Sequence, residues 1–156
     1  MKTLVVYYSR TGVTSQVAQA LARRLGADME EVREIKGRQG VLGYVKALAD
    51  GGRKLSSAIM PLTHDPAEYD LVVVATPVWA FTMACAVRTY LTECGRNIKR
   101  LGLMCTMESS GDKGAFRDME SLCGRQAEAR LTVLSREVRQ DTFRPKIDSF
   151  AESLKA

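Results

Sequence analysis

The sequence is poor in the residues that build metal sites and nucleophilic active sites. It has one histidine, His64, in a polar turn with Asp65, so a histidine triad or a histidine-based metal site is excluded, and we expect His64 to be exposed. The cysteines form no Cys-x-x-Cys pair, which argues against zinc and thiol-disulfide centres. They fit reduced packing residues, with a reactive thiol at Cys105 as an open alternative. The four are Cys85, Cys94, Cys105 and Cys123.

Long apolar runs and clusters of one charge are also missing. No run approaches the ~20 apolar residues that cross a bilayer, and Met1-Lys2-Thr3 leads into an apolar segment without a signal-peptide pattern. We therefore expect a cytoplasmic protein with no membrane span. The net charge is +5, but basic and acidic residues alternate, so nucleic acid is not an expected partner. The 156 residues, 26% of them charged, fit one globular domain over 1–156.

Strand and helix patterns alternate along the chain. Apolar runs predict strands over residues 3–8, 70–76, 101–106 and 131–138, and Pro77 ends the second of these. Residues 27–33 fit neither period, but the alternation of strands and helices requires a short strand there, and its polarity suits a sheet edge. Helical spacing predicts helices over 13–25, 41–48, 83–94, 116–123 and from about 141 to 154, with Pro145 in a first turn. Residues 37–40 and 51–54 predict loops, and 55–69 a connection across the sheet. The fold class is thus α/β, a three-layer doubly wound sandwich with a five-stranded parallel sheet of order 2-1-3-4-5.

The first strand ends in hydroxyl residues and one glycine, Ser9-Arg10-Thr11-Gly12-Val13-Thr14, just where a helix begins. A helix N-terminus has free N–H groups and a positive dipole end, and three hydroxyls beside it favour a bound phosphate. The loop lacks the Gly-Lys-Ser/Thr of a Walker motif and the three glycines of a dinucleotide fingerprint. The alternative is an ordinary strand-to-helix turn in which Thr11 is only the N-cap.

This segment resembles the FMN-phosphate loop of the flavodoxin family, Ser/Thr-x-Thr-Gly-x-Thr, at every defined position. The resemblance implies a flavodoxin-like fold that binds FMN noncovalently between strands 1 and 3. It also implies cofactor contacts from the whole loop. These residues are Ser9, Arg10, Thr11, Gly12, Val13 and Thr14.

The loop after the third strand resembles the family's second cofactor loop. Its six candidate residues are Thr76, Pro77, Val78, Trp79, Ala80 and Phe81. Trp79 is the only tryptophan and directly follows a buried strand, where stacking on the flavin ring suits an exposed aromatic. The alternative is a tryptophan packed over the core as a lid.

The loop after the fourth strand resembles the family least. The family often has a glycine-rich run or an aromatic residue here, whereas this chain has Met107 and Glu108, so the second flavin face is covered by Met107 or left open. Acids near the ring would lower the flavin potential, although ordinary exposed loop acids are equally compatible. The candidate contacts of this loop are Thr106, Met107, Glu108, Gly111 and Asp112.

The resemblance implies electron transfer through FMN, with no catalytic side chain and no metal required. One role is a shuttle between a redox partner protein and an acceptor. The other is an enzyme that reduces quinones or similar small acceptors with NAD(P)H. Familiar shuttles of the family are acidic, so a pI of about 9.2 favours the enzyme or a specialised partner. An interaction module that keeps the fold without flavin is the alternative from another class.

Overall fold

The computed structural model describes residues 1–35 and 57–155 and builds one sheet with helices on both faces. The strands are β1 (Thr3–Tyr7), β2 (Asp28–Glu31), β3 (Leu71–Trp79), β4 (Thr82–Met83), β5 (Leu101–Met107) and β6 (Ala129–Leu134). The helices are α1 (Val13–Leu25), α2 (Cys85–Cys94), α3 (Asp112–Cys123), α4 (Ser135–Arg139) and α5 (Arg144–Lys155). Two 3₁₀ turns span Pro66–Glu68 and Gly95–Asn97. The predicted helix 41–48 and the loops at 37–40 and 51–54 lie outside the described residues.

The strand order is β2-β1-β3-β5-β6, and these five strands are parallel. Counted among the parallel strands alone, this is the predicted order 2-1-3-4-5, which is confirmed. The short β4 is an addition that pairs antiparallel with the end of β3. The order reverses between β1 and β3, so the loops that follow these two strands meet at the carboxyl edge of the sheet.

The core lies in two layers, one on each face of the sheet. Residues Leu71–Ala75 of the central strand are fully buried, because helices cover both faces and each successive side chain enters one apolar layer or the other. On one face Val72 and Val74 pack with α2 and α3, and on the other Val73 and Ala75 pack with α1 and α5. Both layers hold the carboxyl edge of the sheet in a fixed position.

Two strand ends differ from the sequence prediction. Pro77 does not end β3, which continues to Trp79; β1 has already ended opposite Ala75, so the missing N–H of Pro77 disrupts no ladder there. The fifth parallel strand was predicted to reach residue 138 but ends at Leu134. The Glu137 carboxylate accepts a hydrogen bond from the Leu134 N–H at 2.7 Å and starts α4 at that point.

The helix starts shift for related reasons. Met83 belongs to β4, so α2 begins at Cys85 rather than at residue 83. The last helix begins at Arg144 because Asp141 takes a left-handed backbone, φ 53°, that separates α4 from α5. Pro145 lies in the first turn as predicted, where its missing N–H costs nothing.

A buried carboxylate ties the edge strand to the connection that follows residue 57. Glu30 of β2 is 5% exposed and accepts hydrogen bonds from the backbone N–H groups of Thr63 and His64. Its Oε2 also lies 2.7 Å from Nδ1 of His64. His64 lies at the surface as expected, with its side chain 29% exposed, but its imidazole is also part of this clasp.

None of the helices in residues 1–35 and 57–155 is long and apolar enough to span a membrane. The same two stretches contain no group of His, Cys, Asp or Glu that is placed to hold a metal ion.

We expect Glu30→Ala to lower the free energy of unfolding by about 3 kcal/mol or more, since it leaves two backbone donors and an imidazole without their buried acceptor. Glu31→Ala is the matched control on the same strand, because Glu31 only pairs with exposed Arg33 and should cost less than about 1 kcal/mol. Urea denaturation of both variants measures the difference. Equal losses would contradict the assignment of Glu30 as a buried clasp.

Candidate functional site

The first loop leaves an open set of hydrogen-bond donors at the start of α1. Gly12 is the N-cap, with φ 95°, and no side chain caps the helix. The first helical bond runs from the Gln16 N–H to the Gly12 carbonyl, so the N–H groups of residues 13–15 precede it, and none of them has an acceptor within residues 1–35 and 57–155. Thr11 is therefore not the N-cap, whereas the choice between a phosphate loop and an ordinary turn stays a prediction.

The three hydroxyls of this loop differ in their surroundings. Ser9 Oγ accepts a hydrogen bond from the Gly12 N–H at 3.1 Å and so closes the turn. Thr11 is exposed, and its hydroxyl has no partner within the described part of the chain. Thr14 is 2% exposed, and its Oγ1 lies 2.7 Å from Oγ1 of Thr106. The loop thus presents the exposed Thr11 hydroxyl beside the helix N-terminus. Its Thr14 hydroxyl is buried and paired with Thr106.

The second loop is a hairpin that the sequence pattern did not predict. Val78 and Trp79 of β3 pair with Met83 and Thr82 of β4 around a two-residue turn. Both turn residues, Ala80 and Phe81, have positive φ, 49° and 64°. Asn-Gly is the usual choice for such a turn, and a non-glycine residue there costs about 1–3 kcal/mol. This turn leaves two aromatic side chains exposed at the surface, Trp79 at 40% and Phe81 at 70%.

Thr76 has a scaffold role in this loop. Its side chain is fully buried, and its Oγ1 accepts a hydrogen bond from the Ala84 N–H at 3.0 Å and donates to the Pro77 carbonyl. This bond fastens the base of the hairpin to the start of α2. The exposed surface of the hairpin therefore comes from residues beyond Thr76.

Tyr8 supports Trp79 from the neighbouring strand end, and the sequence analysis did not single it out. The two rings meet edge to face with centroids 5.8 Å apart. Burial is the main cause that raises the pKa of Tyr8, and the negative charge of Glu34 adds to it. The consecutive tyrosines at the end of β1 were the available signal. Trp79 is thus an exposed ring with a side support, not a lid over the core.

The third loop turns its acids away from the hairpin. The Asp112 carboxylate accepts a hydrogen bond from Thr132 of β6 at 2.8 Å. The side chain of Glu108 is 77% exposed, and its Oε1 lies 3.8 Å from Nη1 of Arg139 in α4. Met107 is half-buried at the end of β5. Cys105 is fully buried, and burial raises the pKa of its thiol, so it has no thiolate character.

The hairpin packs against two glycines, Gly111 at the N-cap of α3 and Gly114 within the helix. A Cβ on Gly111 would lie 2.9 Å from Val78 Cγ1, and one on Gly114 would lie 2.8 Å from the Phe81 carbonyl oxygen. Both distances are too short for a side chain, so the hairpin rests directly on the backbone of α3. Two surface cavities of about 490 and 450 Å³ lie elsewhere, one along α1 and β2 and one along β6 and α5.

The carboxyl edge therefore combines the uncapped start of α1 with an exposed aromatic hairpin, on a doubly wound sheet. The family model for flavodoxin matches residues 2–148. The chain belongs to the flavodoxin family. No curated protein matches it in sequence.

Solved structures share the fold of this flavodoxin-family chain at low sequence identity. A protein from Bacteroides uniformis is 20% identical, with a TM-score of 0.76 over 97% of both chains. The Lactobacillus acidophilus flavoprotein in complex with FMN is 20% identical, with a TM-score of 0.69 over 89% of this chain and 97% of that one. The Fusobacterium nucleatum flavodoxin bound to FMN is 13% identical, with a TM-score of 0.59 over 99% and 98%.

We expect Gly114→Ala to destabilise the protein by about 1–3 kcal/mol, because the new methyl group would press on the Phe81 carbonyl. In an ordinary helix the same change stabilises by about 0.5–1 kcal/mol. The displaced hairpin should also shift the emission of Trp79. Ser121→Ala, at an exposed position of α3, is the control and should change stability by less than about 0.5 kcal/mol. Denaturant titration followed by fluorescence checks both, and a stabilised Gly114→Ala variant would refute the contact.

Proposed function

We propose that this protein binds FMN noncovalently and transfers electrons through it. The observation that carries the proposal is the uncapped start of α1, where free N–H groups and the free Thr11 hydroxyl lie at the sheet edge shared with exposed Trp79. An anion and a planar ring are the two ends of FMN. The FMN complexes of the Lactobacillus acidophilus and Fusobacterium nucleatum proteins support the choice of ligand.

The donor set fits a phosphate monoester without a metal. The N–H groups of residues 13–15 and the Thr11 hydroxyl would donate to phosphate oxygens, and the positive end of the α1 dipole would stabilise their charge. Exposed Arg10 lies in the same loop and adds a positive charge. Residues 76–81 and 106–112 would border the ring, with Trp79 as its stacking partner.

When bound, FMN supplies reversible electron transfer, and the side chains of the chain need only hold and orient it. Trp79 and Tyr8 would fix the plane of the ring and exclude water from that face. No side chain is required as a nucleophile, which agrees with the inert, buried thiol of Cys105. A cytoplasmic setting, which we also propose, is compatible with the four free cysteines.

Between a shuttle and an enzyme, the exposed aromatic tip favours a small planar acceptor. Phe81, 70% exposed, presents apolar surface beside the proposed ring site, where a quinone could stack. We therefore propose NAD(P)H-dependent reduction of quinones as the finer function, and a shuttle between redox proteins as the second candidate. NADH or NADPH consumption with a quinone and no added reductase tests the choice. If reduction of the quinone requires a separate reductase, the protein acts as a shuttle between redox proteins instead.

We expect Thr11→Ala to weaken FMN binding by about 1.5–3 kcal/mol, or roughly 10- to 150-fold, because it removes one hydrogen bond to a charged group. Riboflavin lacks the phosphate and should bind the variant as it binds the wild type. Isothermal titration with both ligands measures the two affinities. Thr92→Ala, at an exposed threonine of α2, is the control. Equal losses for FMN and riboflavin would show that the loop does not hold the phosphate.

Loss of the contact between Trp79 and the flavin ring should affect FMN and riboflavin equally, unlike loss of a phosphate contact. Adding FMN to the apoprotein should quench the fluorescence of Trp79, the only tryptophan, with one-to-one stoichiometry. Trp79→Ala should weaken FMN and riboflavin alike by about 1–3 kcal/mol, the range for stacking of a planar ring on an aromatic side chain. Its stability should change little, because the side chain is already 40% exposed. Unchanged flavin affinity in this variant would remove Trp79 from the site.

A further inference from the structure

A pair of buried hydroxyls joins the first loop to the third. Thr14 lies in the first turn of α1, and Thr106 lies near the end of β5, yet their Oγ1 atoms are 2.7 Å apart. Both residues are 2% exposed. In register on the sheet, Thr106 lies between Pro77 and Val133, whose side chains have no polar atom. The Thr14 hydroxyl is therefore the polar group that Thr106 meets on the α1 side of the sheet.

The pair has one more proton than its own bond uses. Two hydroxyls contain two protons, and the hydrogen bond between them takes one. The hydroxyl that accepts this bond keeps its own proton for another acceptor. If Thr106 donates to Thr14, the remaining donor is the Thr14 hydroxyl, which belongs to the first turn of α1 beside the free N–H groups of residues 13–15.

A phosphate at the start of α1 would decide between the two directions. A phosphate dianion only accepts hydrogen bonds, so Thr14 can contact it only by donating its proton. The Thr14 oxygen then accepts from Thr106, and each bond in such a chain strengthens the next. We infer that Thr106 is a positioning residue that orients the Thr14 hydroxyl toward the phosphate of the cofactor, so that the end of β5 contributes to phosphate affinity through α1. This inference rests on the proposed FMN site.

The role differs from direct contact with the ring, which is what the sequence resemblance implies for Thr106. The hydroxyl of Thr106 is committed to Thr14, and it is Thr14 that belongs to the first turn of α1, where the phosphate would bind. Its effect should therefore depend on the phosphate and not on the isoalloxazine. The ratio of FMN to riboflavin affinity reports on this difference, whereas a purely structural role would leave the ratio unchanged.

The test compares FMN and riboflavin binding, by titration calorimetry of apoprotein, in wild type, Thr106→Val and Thr106→Ser. Valine keeps the shape and the strand preference of threonine but removes the hydroxyl. We expect Thr106→Val to lower the FMN-to-riboflavin affinity ratio about three- to tenfold, the range for one neutral hydrogen bond, while Thr106→Ser keeps the wild-type ratio. Thr3→Val is the matched control, since Thr3 is a buried threonine at the opposite edge of the sheet.

A double-mutant cycle with Thr14→Val tests whether Thr106 acts through Thr14. Thr14→Val alone should lower the ratio further than Thr106→Val, because it removes the direct donor. On the Thr14→Val background, Thr106→Val should then have almost no further effect. Independent, additive losses would overturn the proposed relay, in which Thr106 acts on the phosphate through the Thr14 hydroxyl. If Thr106→Val does not fold, Thr106→Ala compared with Thr106→Ser gives the same test.

The outcomes separate this inference from the proposed function. A wild type that binds riboflavin as tightly as FMN would overturn the phosphate loop and the relay together. A clear wild-type preference for FMN that Thr106→Val leaves unchanged would overturn the relay alone. Parallel losses of FMN and riboflavin in Thr106→Val would also overturn it, because they would assign Thr106 to the fold or to the ring.

Discussion

The candidate site depends on one constraint, the left-handed backbone of Gly12. At φ 95° the chain turns from a buried parallel strand into α1 without a side-chain cap, and the first N–H groups of the helix have no acceptor among residues 1–35 and 57–155. A residue with a Cβ would resist this conformation. Because β1 is a central strand, the free donors lie at the point where the strand order reverses. The electrostatics of the site follow from this turn and its place in the sheet.

Contacts between loops organise the rest of the edge. The first loop meets the hairpin through Tyr8 and Trp79 and meets the third loop through the buried threonine pair. The hairpin in turn rests on the backbone at Gly114. Each loop is thus positioned by the other two, which allows the strained turn at Ala80 to persist. Rigid mounting of this kind suits a protein that holds a cofactor without reacting with it covalently.

Most of the fold could be predicted from the sequence, because burial on both faces of a parallel sheet requires apolar runs such as residues 71–75. The errors occurred where local pattern and tertiary context disagree. Proline usually marks a strand end, but Pro77 lies where no strand pairs on one side. Val138 continued the apolar pattern of β6, but the side chain of Glu137 began a helix instead.

At the site, the sequence by itself determined the turn from β1 into α1 and its three hydroxyls, because hydroxyl spacing and one glycine after a strand are local features of the chain. It also identified Trp79 as an unusual aromatic at the strand end. Only the tertiary structure decided which hydroxyls are free, since Thr14 finds its partner 92 positions away in Thr106. The pairing of His64 with the buried Glu30 was likewise invisible locally. Such pairings are set by strand order and helix packing, which bring together residues that no sequence period relates.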